Sequence, residues 1–93
     1  MKIDPTTARD RLTDLPGWRV EGDELVKIFT FKDFAQAFAF MAAVAPLAEK
    51  LNHHPEWTNV YNRVTVRLTT HDEGGLSELD FELAKWMNEV AQA

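Results

Sequence analysis

Two short stretches of the chain alternate with period two, and two longer ones repeat with helical period, which together predict most of the secondary structure. In ELVKIFTF, Leu25, Lys27 and Phe29 alternate with Val26, Ile28 and Thr30. Preceded by WRVE and a Gly22-Asp23 turn, this run reads as the second strand of a hairpin spanning Trp18 to Phe31. Further on, VTVRLTT sets Val64, Val66 and Leu68 on one face against Thr65, Arg67 and Thr69 on the other, the pattern of a sheet covered on one side. The run Trp57 to Tyr61 before it predicts a partner strand, with Asn62-Arg63 as the tight turn.

The helical repeats come with start and stop signals. Asp4-Pro5 ahead of TTARDRLTDL predicts a capped first helix with Ala8, Leu12 and Leu15 inward, ending near Pro16-Gly17. Asp33 with Gln36 three residues on has the form of a capping box, and opens FAQAFAFMAAVAPLAEKL. Phe34, Phe38, Met41, Ala45 and Ala48 form one stripe of that helix and Phe40, Val44, Leu47 and Leu51 another, so burial on two sides is expected, one side against a second subunit. An interior proline lacks the bond to the carbonyl four residues back and costs roughly 3 kcal/mol or more, so Pro46 predicts a kink. The helix must end by His54, whose α conformation Pro55 disfavours. After HDEGG, Ser77 caps a last helix with Asp80 in its first turn and Leu79, Leu83, Trp86 and Val90 inward. The resulting order, α-β-β-α-β-β-α, predicts an α+β fold: a four-stranded antiparallel sheet with three helices packed on one face, in one domain over residues 1–93.

Composition narrows the function classes. Ten basic residues stand against 15 acidic ones, for a formal charge of −5, which disfavours nucleic-acid backbones and anionic membranes. Cysteine is absent, which excludes disulfides, thiolate catalysis and cysteine metal sites. MKIDPTTARD has no apolar core of a signal peptide, and the most apolar run, Phe34 to Ala48, is interrupted by Gln36 and Pro46 and is too short for a bilayer span. A cytoplasmic protein without membrane attachment is expected.

The chemistry concentrates at the ends of elements. His53 and His54 stand between a helix and a proline, and His71 stands where a strand ends. Imidazole both donates and accepts protons near neutral pH, so histidines converging from two loops suit general acid-base work. Glu49, four residues before His53, is placed to hold its ring, although an exposed helix glutamate is as good an explanation. Asp80, at the third position after Ser77, is well explained as a helix cap, and Trp18, Trp57 and Tyr61 could wall a flat heterocycle, although buried aromatics usually serve the core or an interface. A metal held by Glu49, His53 and His71 is disfavoured, because adjacent histidines rarely share an ion and no HExxH or cysteine pair is present. Ser77 is accounted for as a cap, which leaves no nucleophile.

The run Glu49-Lys50-Leu51-Asn52-His53-His54-Pro55-Glu56-Trp57, with Asn59-Val60-Tyr61-Asn62, Thr70-His71-Asp72, Gly75-Leu76-Ser77 and Asp80, resembles the signature of the pterin-4a-carbinolamine dehydratases. Gly17-Trp18 and Phe31-Lys32-Asp33-Phe34 extend the resemblance over most of the chain from Pro16 onward. It implies dehydration of a 4a-hydroxytetrahydropterin to quinonoid dihydropterin, in the recycling that follows aromatic amino acid hydroxylation, with no metal or organic cofactor. His53 and His71 would be the acid/base pair and His54 would orient the pterin. Asn52, Pro55, Thr69, Thr70, Asp72 and Trp18 would contact substrate, with Glu49 and Asp80 in support. Asn52 stands where some relatives carry aspartate. A homodimer or homotetramer is implied as well. Animal members also act as dimerisation cofactors for a homeodomain transcription factor, so a binding module on helix surfaces is the alternative.

Overall fold

The computed structural model describes residues 1–92. Its elements follow the expected order: α1 (Pro5–Asp10) continued by a tight helical turn (Arg11–Asp14), β1 (Arg19–Glu21), β2 (Glu24–Thr30), α2 (Phe34–Leu51), β3 (Glu56–Val60), β4 (Arg63–Leu68), a short turn of helix (His71–Glu73) and α3 (Glu78–Gln92). The strands form one antiparallel sheet in the order β1-β2-β4-β3, so the two hairpins are joined along β2 and β4. Leu25 pairs with Leu68 and Phe29 with Val64, which places Leu25, Phe29, Val64, Val66 and Leu68 on the face that the three helices cover. The other face carries Arg67 with Glu21 and Glu24, and exposed Ile28 and Val60.

The hairpin between β3 and β4 turns one residue earlier than expected. Val60 pairs with Arg63, so Tyr61 and Asn62 are the turn, and Tyr61 takes a φ of 52°. Asn62 is diverted to bind Phe31: its Nδ2 donates to the Phe31 carbonyl at 2.9 Å, and its own carbonyl accepts from Phe31 N at 2.8 Å. Side-chain anchoring of Asn62 outweighs the poor fit of tyrosine to positive φ.

The helices differ from expectation in which faces they bury. In α2, Asp33 Oδ1 caps Gln36 N at 2.9 Å, while Gln36 Oε1 reaches back to Lys32 N at 3.2 Å. The buried stripe is Ala37, Phe40, Val44 and Ala48; Phe34 and Phe38 stay 51% and 59% exposed and lean on each other at 6.0 Å between ring centroids. The helix runs unbroken through the exposed Pro46 to Leu51. Its 18 residues reach the length and hydropathy of a bilayer span, a correction to the shorter run read from the sequence, but its buried side packs on the sheet as a core helix does. In α3 the inward face is Asp80, Phe81, Leu83, Ala84, Met87 and Asn88, with Leu79, Trp86 and Val90 only half-buried. Of the expected residues Leu83 is buried as predicted, and Phe81, Met87, one alanine and two polar residues complete the stripe.

Asn88 is in the core because it finishes a buried polar knot. Its Oδ1 accepts from Trp18 Nε1 at 2.9 Å and from Lys27 Nζ at 2.7 Å, and its Nδ2 donates to the Pro16 carbonyl at 3.2 Å. Lys27 also donates to Pro16 O at 2.9 Å and lies 4.5 Å over the Phe29 ring, and burial pushes its ammonium below the ordinary lysine range. Asn88→Ala would strand the Trp18 indole N–H and take from the Lys27 ammonium one of its two acceptors, so a loss of about 1–3 kcal/mol is expected by urea denaturation. A loss under about 0.5 kcal/mol would show that the knot contributes nothing.

Candidate active site

How α2 ends determines where the first histidine points. Asn52 adopts the left-handed conformation, φ 51° and ψ 44°, and its N–H bonds back to Glu49 O at 3.1 Å. His53 N reaches Ala48 O at 3.0 Å, which completes the six-to-one closure of a Schellman motif. Asparagine tolerates this conformation better than most residues, which gives Asn52 a local structural reason to stand there. The motif folds the His53 ring inward, where the residue is only 8% exposed, while His54 points out to solvent.

The expected partnership of Glu49 with His53 is corrected. Glu49 Oε1 accepts from Nε2 of His54 at 2.5 Å, and both side chains are more than half exposed, so the pair contributes at most about 1 kcal/mol. His53 Nε2 lies 2.5 Å from Oδ1 of Asp80, which is fully buried. Asp80 is therefore both the expected cap and more. Its Oδ2 accepts from Ser77 N at 2.9 Å and from Thr70 Oγ1 at 2.8 Å, while Oδ1 faces the histidine. One carboxylate thus ties the start of α3, the end of β4 and the exit of α2 together.

His71 is placed by a closed loop. Thr70 and Gly75 exchange backbone bonds, Thr70 N to Gly75 O at 2.9 Å and Gly75 N to Thr70 O at 3.2 Å, and Gly74 takes φ 73° inside the turn. A Cβ at Gly75 would lie 2.7 Å from Lys2 Cε and 3.2 Å from Asp23 Oδ1, so a side chain there would have to push the end of Lys2 aside. The loop holds His71 exposed, its carbonyl accepting from Gly74 N at 3.0 Å and its ring free of hydrogen-bond partners among the described residues.

These segments meet around a cleft of about 270 Å³ lined by Asn52, His53, His54, Thr69, Thr70, His71, Asp72 and Leu79. All three histidines reach it, and so do Asn52, Thr69, Thr70 and Asp72. Two of the expected contacts are redirected within it. Thr70 turns its hydroxyl into the protein toward Asp80, and Thr69 Oγ1 donates to the Asp23 carbonyl at 2.7 Å. Trp18 is not brought there at all: it is 5% exposed, edge-on to Phe29 at 5.8 Å, and bound to Asn88. Pro55, Trp57 and Tyr61 also lie outside the lining, because the hairpin that follows Pro55 carries them along the sheet. Among the described residues no three His, Asp or Glu side chains are grouped to hold a metal ion.

Sequence reasoning missed the Ser77–Thr70–Asp80 chain and Arg11. Arg11 forms a two-pronged bond to Glu78 at 2.6 and 2.8 Å and lies 4.1 Å over the Phe81 ring, pinning the N-terminal segment to the start of α3. That guanidinium holds the Glu78 carboxyl below the ordinary range. A signal for Asp80 was present: it heads the stripe Asp80, Leu83, Ala84 and Met87, and a carboxylate on an apolar face requires a partner.

Comparison with known proteins identifies the family. Residues 1–90 match the family model described as pterin 4 alpha carbinolamine dehydratase. A Rhizobium johnstonii protein provisionally named pterin-4-alpha-carbinolamine dehydratase is 52% identical over 92 residues, covering 97% of this chain and 91% of its own. A Synechococcus protein with the same provisional name is 56% identical over 82 residues, covering 87% and 88%. Among solved structures, a Brucella melitensis protein described as a transcriptional coactivator/pterin dehydratase superposes with a TM-score of 0.93 at 47% identity, over 98% of this chain and 99% of that one. A pterin dehydratase-like protein described as a RuBisCO assembly factor in the alpha-carboxysome gives a TM-score of 0.71 at 28% identity, over 86% and 95%.

Proposed function

The chain belongs to the pterin-4a-carbinolamine dehydratase family, and from that premise we propose that it converts a 4a-hydroxytetrahydropterin to quinonoid dihydropterin and water, with its own histidines as the acid and base. The observation that carries the histidine assignment is the convergence of His53, His54 and His71 on one cleft, with His53 fixed by a buried carboxylate. The reaction is an elimination without redox change. The N5 lone pair forms a double bond to C4a, the C4a–O bond breaks, the departing hydroxyl takes a proton to leave as water, and the N5–H proton goes to a base. His53 suits the base, since the Asp80 carboxylate sits where it balances the charge of a proton taken up by the ring. His71, open to the cleft without a partner, protonates the departing hydroxyl. His54, steadied by Glu49, and Asn52 and Asp72 line the remaining wall and orient the pterin.

A docking module is the second reading. It is favoured by the exposed Phe34–Phe38 pair on α2, together with the assembly role described for the RuBisCO-associated structural relative. Phe40 and Val44 of the second stripe are buried in the core and mark no interface, and the exposed aromatics of this helix are Phe34 and Phe38. In the dehydratase reading that face joins copies of this chain into a homodimer or homotetramer.

Titrating an oxidised pterin into ¹⁵N-labelled protein separates the two readings. Shifts centred on residues 52–54 and 69–72 are expected. Absence of any pterin-dependent shift there would leave docking as the remaining reading.

A further inference from the structure

The hydrogen-bond partners of Thr70 and Ser77 fix which way each hydroxyl points its proton, and that direction decides which nitrogen of His53 is left for chemistry. Four groups are involved, and all are buried: His53, Thr70, Ser77 and Asp80. Ser77 Oγ accepts from Leu79 N at 3.3 Å and lies 2.7 Å from Thr70 Oγ1, its one other side-chain partner among the described residues, whose own proton is committed to Asp80. Its proton therefore goes to Thr70. Thr70, having accepted that proton, sends its own to Asp80 Oδ2 at 2.8 Å, where Ser77 N–H also arrives at 2.9 Å. An ionised Asp80 carboxylate with these two donors on Oδ2 accepts on both oxygens, and Oδ1 then takes the N–H of His53 Nε2 at 2.5 Å. Nδ1 is then the only ring atom with a lone pair. No buried side-chain nitrogen or oxygen among the described residues lacks a hydrogen-bond partner, and Nδ1 has none, so it opens to the cleft.

We infer that Thr70 and Ser77 are positioning residues: by filling Asp80 Oδ2 with donors they lock His53 as the Nε2–H tautomer and make Nδ1 the atom that exchanges protons with substrate. Neither hydroxyl touches substrate in this arrangement, which reassigns Thr70 from substrate contact to a role through Asp80. The relay also links turnover to the capping of α3, since Ser77 serves both through its hydroxyl and its N–H. The inference deepens the dehydratase reading and rests on it for the word substrate, but the tautomer is observable without any turnover.

The test records the ¹⁵N shifts of the His53 ring in wild type, Thr70→Val, Thr70→Ser and Ser77→Ala, alongside kcat and KM for the carbinolamine. In wild type, Nε2 carries the proton and Nδ1 shows the shift of a lone-pair nitrogen. Thr70→Val is expected to give a mixture of tautomers and lower kcat about tenfold with KM little changed, as loss of an orienting partner does. Thr70→Ser is expected to restore both. Should Thr70→Val fail to fold, Ser77→Ala supplies the same readout with a smaller shift. A wild-type ring protonated at Nδ1, or a Thr70→Val variant with kcat lowered and tautomer unchanged, would overturn the inference. Wild-type protein with the expected tautomer and no turnover would instead leave the relay standing and remove the dehydratase reading.

Discussion

Replacing Asp80 with alanine is expected to lower the free energy of unfolding by about 3–5 kcal/mol, because the change leaves His53 Nε2, the Thr70 hydroxyl and Ser77 N–H without the fully buried carboxylate that accepts from them. Against a total stability of roughly 5–15 kcal/mol for a small domain, that is a large share, and denaturant midpoints measure it directly. Asp80→Asn keeps the volume and presents an NH₂ where one carboxylate oxygen stood, so it separates stability from chemistry. It is expected to fold and to lose at least about 10²-fold in turnover, since an amide cannot hold both the Thr70–Ser77 chain and His53 as donors. An Asp80→Asn variant with wild-type turnover would show that the carboxylate serves only as a helix cap.

His71→Ala is expected to do the reverse. The ring is exposed and unpartnered among the described residues, so its loss should shift stability by no more than about 0.5 kcal/mol. Turnover of the carbinolamine should fall by about 10²–10⁴-fold, the usual worth of a general acid or base. Equal losses of stability and turnover would place His71 in the architecture of the 70–75 loop and not in the chemistry.

The architecture was largely written in the pattern of apolar positions. The two alternating runs set both central strands and their covered face, and the Asp4-Pro5, Asp33/Gln36 and Ser77/Asp80 signals marked the helix starts. What the pattern misplaced has a common cause, since single-residue rules do not see tertiary partners. Asn62 became the second residue of its turn and not the first, held there by two bonds to Phe31, and α3 rolled to bury Asn88 and Asp80 because Trp18, Lys27 and His53 needed them.

The candidate site was legible in its residue types and less so in its connections. The two loops that carry the histidines were recognisable from His53-His54-Pro55 and the end of β4. The spacing of Glu49 to His53 suggested the wrong pair, because an i,i+4 rule holds only while the helix lasts, and the left-handed Asn52 swings His53 away and leaves His54 beside Glu49. Trp18 stood within the run that resembles the family but serves the core, where its N–H finds Asn88.

The decisive measurement is the rate at which metal-stripped protein converts freshly generated 4a-hydroxytetrahydropterin to quinonoid dihydropterin, followed by ultraviolet absorbance beside His53→Ala and His71→Ala. Acceleration over the buffer blank that survives chelator and falls in both variants is expected if the histidines are the acid and base. A wild-type rate equal to the blank, or one that both variants retain, would remove histidine-catalysed dehydration as the function of this site.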